Sequence, residues 1–149
     1  MYKFLLFLIP IYSIAQINKV PNDNIGEHIG LHIIYFLGRE NGGVSLSKLP
    51  SINGVEFHQL IWSNFDYDKE KERTILTFKS SINEIDDLFE VFKEVIKTRK
   101  GKSFKINNKF ITIKPSEGED KVVFIYELDK YFHIGKVGVY ELFGKNIEY

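Results

Sequence analysis

Apolar residues along this chain recur with two different periods, and the change of period divides it. Ile85, Leu88, Phe89, Phe92, Val95 and Ile96 stand three or four apart, which lays one apolar stripe along a helix. Ser81-Ile82-Asn83-Glu84 has the spacing of a capping box, in which each terminal side chain satisfies the other residue's backbone N–H. Asp86 and Asp87 sit near the positive end of the helix dipole, and Lys97, Arg99 and Lys100 near its negative end. Gly101 is the residue expected just past the end, where a left-handed conformation is wanted. These signals predict a helix over about residues 83–100.

Elsewhere the period is two, or the apolar run is unbroken. Residues 31–37 form a continuous apolar run between Gly30 and Gly38, which suits a buried strand. Asn41-Gly42-Gly43 predicts a turn before the alternation of 44–47, and Asn53-Gly54 a turn that opens a strand over 55–62. Residues 73–79 alternate again, with Leu76 and Phe78 opposite Ile75 and Thr77. Beyond the helix, Asn107-Asn108 is a two-residue loop that tolerates positive φ. It pairs Phe104 with Ile111 and Ile106 with Lys109. Residues 117–120 are a solvated turn, 122–127 a strand, and Asp129-Lys130 turns it into a strand over 131–134. Residues 136–143, stopped by Gly144, form a candidate short helix. Short turns join neighbouring strands, and only one helix is long enough to serve as a crossover, so the pairs are antiparallel. The expected fold is α+β: a mainly antiparallel sheet of about six or seven strands with one long helix packed on one face, in the order strands, helix, strands.

The first residues read differently. Met1-Tyr2-Lys3 carries one positive charge, residues 4–11 are apolar apart from Pro10, and Ser13-Ile14-Ala15 places small residues at the −3 and −1 positions of a cut before Gln16. This is the order of a secretory signal peptide, and the run is short of the roughly 20 residues that span a bilayer. The competing readings are a buried N-terminal strand of a cytosolic protein and an uncleaved anchor. The expected organisation is a signal peptide over 1–15, a polar flexible lead-in over 16–29 and a single α+β domain over 30–149, with no membrane span in the mature chain.

Composition narrows the classes. A chain of 149 residues suits one domain, and 44% hydrophobic residues argue against disorder throughout. Twenty basic residues balance twenty acidic ones, so the composition offers no basic footprint for nucleic acid or an anionic membrane. The absence of cysteine removes disulfides, thiolate metal sites, cysteine nucleophiles and a lipid-bearing cysteine together. An exported, cysteine-free chain suits a bacterial envelope, periplasmic or secreted, better than a disulfide-forming eukaryotic route.

Motifs for chemistry are weak. His28 and His32 have the spacing of a helical zinc pair, but Gly26 and Gly30 disfavour a helix there, and no His-Glu-x-x-His supports them. Gly101-Lys102-Ser103 ends like a phosphate-binding loop, yet Ile96 stands where its first glycine belongs. Asp66-Tyr67-Asp68-Lys69-Glu70 alternates carboxylates as a calcium loop does, with Lys71 at the required glycine. No nucleophile elbow Gly-x-Ser-x-Gly occurs. Neither a metal nor a cofactor is expected.

On a strand over 55–62, Glu56, His58, Leu60 and Trp62 point one way and Val55, Phe57 and Ile61 the other. A carboxylate beside an imidazole on an outward face can tune it for acid/base work, which makes Glu56 and His58 weak catalytic candidates. Whether His133 approaches His58 depends on strand order. Trp62, Phe65 and Tyr67 surround the charged loop, and rings held at a surface favour protein or sugar contacts. The sequence therefore predicts a non-catalytic binding or protein-interaction module that meets another protein or an envelope ligand through His58, Trp62, Phe65 and Tyr67. The alternatives are an envelope hydrolase using Glu56 and His58, and an inhibitor of a secreted enzyme. Convergence of Glu56, His58 and His133 in a concave pocket would favour the enzyme.

Overall fold

The computed structural model describes residues 27–36, 39–63 and 73–148. Eight strands and two helices follow one another as β1 (Glu27–Phe36), β2 (Arg39–Ile52), β3 (Val55–Ser63), β4 (Arg73–Lys79), α1 (Ile82–Thr98), β5 (Lys102–Ile106), β6 (Lys109–Pro115), β7 (Lys121–Glu127), β8 (Lys130–Gly135) and α2 (Lys136–Leu142). The class is α+β, but the strands form two four-stranded antiparallel sheets, ordered β1-β2-β3-β4 and β5-β6-β7-β8, in place of one sheet of six or seven. Each sheet is a meander closed by a helix, so the chain is four strands and a helix, twice over.

Local signals set most boundaries. Asn53 and Gly54 take positive φ (51° and 75°) and Asn107 and Asn108 do the same (50° and 62°), the conformation a two-residue hairpin loop needs. The second hairpin pairs Ile106 with Lys109 and Phe104 with Ile111, as its sequence predicts. The Ser81 capping box is present, with Ser81 N–H donating to Glu84 Oε2 at 2.7 Å and Glu84 N–H to Ser81 Oγ at 3.3 Å.

Four expectations are corrected. Asn41-Gly42-Gly43 is no turn: it lies inside β2, where Gly42 (φ 114°) sits opposite a register shift in β1. β1 begins at Glu27, inside the stretch expected as flexible lead-in, because it pairs with the long β2 as far as Lys48; residues 16–26 lie outside those described. The turn into β8 comes one residue early, with Glu127 paired to Lys130. The left-handed residue ending α1 is Arg99 (φ 56°) and not Gly101. Its guanidinium donates to the carbonyls of Ser116 (2.7 Å), Lys121 (2.9 Å) and Gly118 (3.2 Å), which offsets the cost of that backbone conformation.

One apolar core joins both sheets and both helices. Ile85, Leu88, Phe89, Phe92, Val95 and Ile96 are the buried face of α1, the stripe its periodicity predicts. Phe92 stacks on Phe124 of β7 at 6.1 Å, and Phe89 meets Tyr140 and Phe143 of the α2 segment at 5.2 and 5.5 Å. The helices cross over: α1 packs on β6 and β7 of the second sheet, and α2 packs chiefly on β1 of the first. Two glycines permit that second contact. A Cβ on Gly30 would stand 2.1 Å from the Glu141 carbonyl oxygen, and one on Gly138 would stand 2.7 Å from the His32 ring.

Candidate functional site

The register of the first sheet decides which way β3 faces. Trp62 pairs with Val44 and Thr74, Leu60 with Leu46 and Leu76, and His58 with Phe78, and paired residues share a face. Val44, Leu46, Leu76 and Phe78 are all buried. The row Glu56-His58-Leu60-Trp62 therefore turns inward, with His58 0% and Trp62 1% exposed, and the outward face expected for it belongs to Val55, Phe57, Gln59 and Ile61. The alternation along 55–62 is apolar on both sides, so only the neighbouring strands break the tie. Trp62 packs against Phe132, Phe124 and Tyr126 of the second sheet at 5.4, 5.8 and 6.3 Å. It bridges the sheets. Phe65 and Tyr67, the other two expected contact residues, lie outside the described residues.

His58 is held from one side. Its Nδ1 lies 3.1 Å from the Ser80 carbonyl oxygen and 2.8 Å from Ser80 Oγ. In one tautomer Nδ1–H donates to that carbonyl, and in the other Nδ1 accepts from the Ser80 hydroxyl. Nε2 is buried and makes no hydrogen bond to a described residue. Burial pushes the imidazole below its ordinary pKa, opposed by the Ser80 carbonyl and by the charge of Glu56. Serine beside histidine suggests nucleophilic catalysis, but both residues are buried, His58 at 0% and Ser80 at 6% exposure.

Glu56 is engaged elsewhere. Lys48 Nζ donates to its Oε1 at 2.8 Å, and that hydrogen bond and charge hold the carboxyl below its usual range. His133 is exposed on β8, with Nδ1 2.7 Å from Ser116 Oγ and the ring edge-on to Tyr131; burial of part of the ring and nearby Lys121 lower its pKa. Glu56 and His58 stand on the first sheet and His133 on the second, each has its own partner, and the three do not converge. His28 is exposed on β1, and His32 Nδ1 pairs with Glu141 Oε2 at 2.7 Å. Among the described residues no group of three or more His, Asp or Glu is placed to hold a metal ion. Nor is any described helix long and apolar enough to cross a membrane.

The described surface also has concavities. One, of about 760 Å³, runs along the exposed side of α1 towards α2 and is walled by charged residues; Lys93 in it is paired with Glu90 at 3.1 Å, and Glu94 with Lys102. Another, of about 310 Å³, opens between the end of β4, the first turns of α1 and the β5–β6 hairpin. Its apolar lining is Phe78, Leu88, Val91, Phe104 and Ile106, and Glu84 and Asp87 line it from α1; Lys79 and Lys105 also border it, but their register sets them beside Phe57 and Phe110 on the outward faces of the sheets. Asn107 closes one end by donating from Nδ2 to the Thr77 carbonyl at 2.6 Å, a bond between the two sheets. No sequence motif marks these residues, which come from β4, α1 and the β5–β6 hairpin. Comparison with known proteins finds no matching family model, no similar curated protein and no similar solved structure.

Proposed function

We infer that this chain is a non-catalytic binding module, exported and cleaved before Gln16, whose partner is another protein or an envelope ligand. The observation that carries the non-catalytic reading is that Glu56, His58 and His133 have separate partners in Lys48, Ser80 and Ser116, with the His58 side chain fully buried. Phe65 and Tyr67 stay with the proposed contact surface, whereas buried Trp62 and His58 support it from within.

Two measurements test the reading. N-terminal sequencing of the protein recovered from envelope or medium is expected to begin at Gln16; an intact Met1 there would remove the cleaved leader. Affinity capture with the tagged chain is expected to retain one stoichiometric partner or ligand, and His58→Leu to retain it equally. Turnover of an envelope substrate that His58→Leu abolishes would replace this reading by the hydrolase.

A further inference from the structure

Among the described residues, the large apolar side chains left exposed are Leu31, Ile82, Phe110, Leu128, Tyr131 and Val137. Leu31, Ile82 and Val137 stand on β1, α1 and α2, one apiece. The other three gather at one end of the second sheet. In a β5-β6-β7-β8 meander the Asn107-Asn108 turn and the Leu128-Asp129 turn lie at the same end, and the 116–120 connection lies at the other. Phe110 follows the first turn and Leu128 belongs to the second. The residues before them, Lys109 and Glu127, form an ion pair at 2.6 Å, so the two turns stand side by side. Tyr131 shares the outward face with Phe110: Phe110 pairs with Lys105, and two residues on, Ser103, Thr112, Ile125 and Tyr131 form one row across four strands. Phe110 is 68%, Leu128 99% and Tyr131 38% exposed. Single apolar residues at a surface are ordinary, whereas a cluster of them marks a contact with another protein or a membrane.

The charge around this cluster is uneven. Over the whole chain acids and bases balance, but the outward face of the second sheet carries Lys105, Lys114 and Lys121 and no carboxylate. At the tip Lys109 and Lys130 hold Glu127 between them, so with Lys105 three lysines stand against Glu127 and Asp129. Glu117, Glu119 and Asp120 are in the connection at the opposite end. Asn107 fixes the tip by its bond to Thr77, and Lys105 Nζ rests over the Phe110 ring, 4.8 Å from its centroid. Apolar side chains that project beyond their own lysines suit a lipid interface. The apolar groups enter the boundary between headgroups and acyl chains, and the lysines reach lipid phosphates. A protein partner would have to offer a socket shaped for so convex a tip, whereas a bilayer yields to it.

We propose that this end of the second sheet docks on a bilayer surface rich in anionic phospholipid. Phe110, Leu128 and Tyr131 enter the interfacial layer, and Lys105, Lys109 and Lys130 meet the phosphates. The chain lies on the bilayer and does not span it. The proposal rests on the binding-module reading and names its envelope ligand as a lipid surface.

Co-sedimentation of the chain recovered from envelope or medium tests it, with vesicles of equal parts phosphatidylethanolamine and phosphatidylglycerol and with vesicles of phosphatidylcholine alone. The expected result is binding to the anionic vesicles that salt weakens, and at least roughly tenfold weaker binding to phosphatidylcholine. Phe110→Ser together with Leu128→Ser is expected to weaken the anionic binding by about tenfold or more, and Lys105→Gln by about fivefold. All of these side chains are exposed, so an unaltered circular dichroism spectrum is the control for folding. A second measurement reads position. Phe110→Trp and Leu128→Trp are each expected to shift their emission to the blue on the anionic vesicles, and Val137→Trp, at the far end of the sheet, to stay unshifted. No binding to anionic vesicles overturns the proposal, as does equal binding to phosphatidylcholine, indifference to the double substitution, or unshifted emission at positions 110 and 128. A dimer that the double substitution dissolves, with no lipid bound, gives the face to a second copy and overturns it too. If vesicles are not bound and the chain still captures a stoichiometric protein partner, the membrane assignment fails and the binding module stands; if it captures nothing, both fail.

Discussion

At the scale of single residues, the interior holds two polar side chains that it does not fully satisfy. His58 Nε2 and Trp62 Nε1 are buried without a hydrogen bond to a described residue. For Trp62 the aromatic edges of Phe124 and Tyr126 and the area it buries outweigh the loss. Trp62→Ala is therefore expected to cost about 3–5 kcal/mol in a urea denaturation curve; a cost near zero would place the ring at the surface. His58 makes stability depend on pH. Its folded pKa lies below that of the unfolded chain, so between the two values the unfolded state binds a proton that the folded state refuses. The contribution is complete above the ordinary histidine value and is lost as pH falls below it. Melting temperature is expected to drop between about pH 7 and 5, and in His58→Leu the drop should flatten. Lower still, Glu127 adds an acid-side loss of its own. Its carboxyl is pulled down to about 2 by hydrogen bonds from Lys109 and Lys130, so its stabilisation fades as pH falls from the usual carboxylate range towards that value.

At the scale of elements, α1 and the β5–β6 hairpin show how local chemistry and tertiary contact share one residue. Ser81 acts locally: it caps α1 and accepts the Glu84 N–H, and Ser81→Ala is expected to lower stability by about 1 kcal/mol. Arg99 acts both ways. A glycine would take its left-handed φ at less cost, yet Arg99→Gly would give up three carbonyl partners in the β6–β7 connection. Net destabilisation is expected, with faster hydrogen exchange around Lys121. The two loop asparagines separate the same effects. Asn108→Gly keeps the turn and should be neutral or mildly stabilising. Asn107→Gly keeps the turn too, but removes the inter-sheet bond to Thr77, and about 1 kcal/mol should be lost.

Over the whole molecule, two meanders are tied together by helices that exchange sheets. That arrangement leaves no room at Gly30 and Gly138, where any Cβ meets the backbone of the α2 segment or the ring of His32. Gly30→Ala cannot be absorbed by a side chain swinging aside, because the obstacle is the carbonyl oxygen of Glu141. It is expected to cost more than about 1 kcal/mol and to raise hydrogen exchange in β1 and α2 together, while α1 stays protected. The candidate cleft belongs to this scale. It exists only where β4, α1 and the hairpin of the second sheet meet.

What the sequence determined by itself is local. The capping box and apolar stripe of α1, the positive-φ asparagine turn with its register, the strand over 73–79 and the short last helix each depend on residues a few positions apart, and short-range sterics and hydrogen bonding specify them. The tertiary structure decided whatever required distant partners. Val55, Phe57 and Ile61 are as apolar as Leu60 and Trp62, so the inward face of β3 followed from Val44, Leu46, Leu76 and Phe78 in the strands beside it. The division into two sheets followed from α1 standing between two sets of hairpins. The cleft is lined by the stretch from Phe78 to Val91 and by the hairpin residues Phe104 to Asn107, and no periodicity along the chain brings the two stretches together; only the packing of one half against the other does.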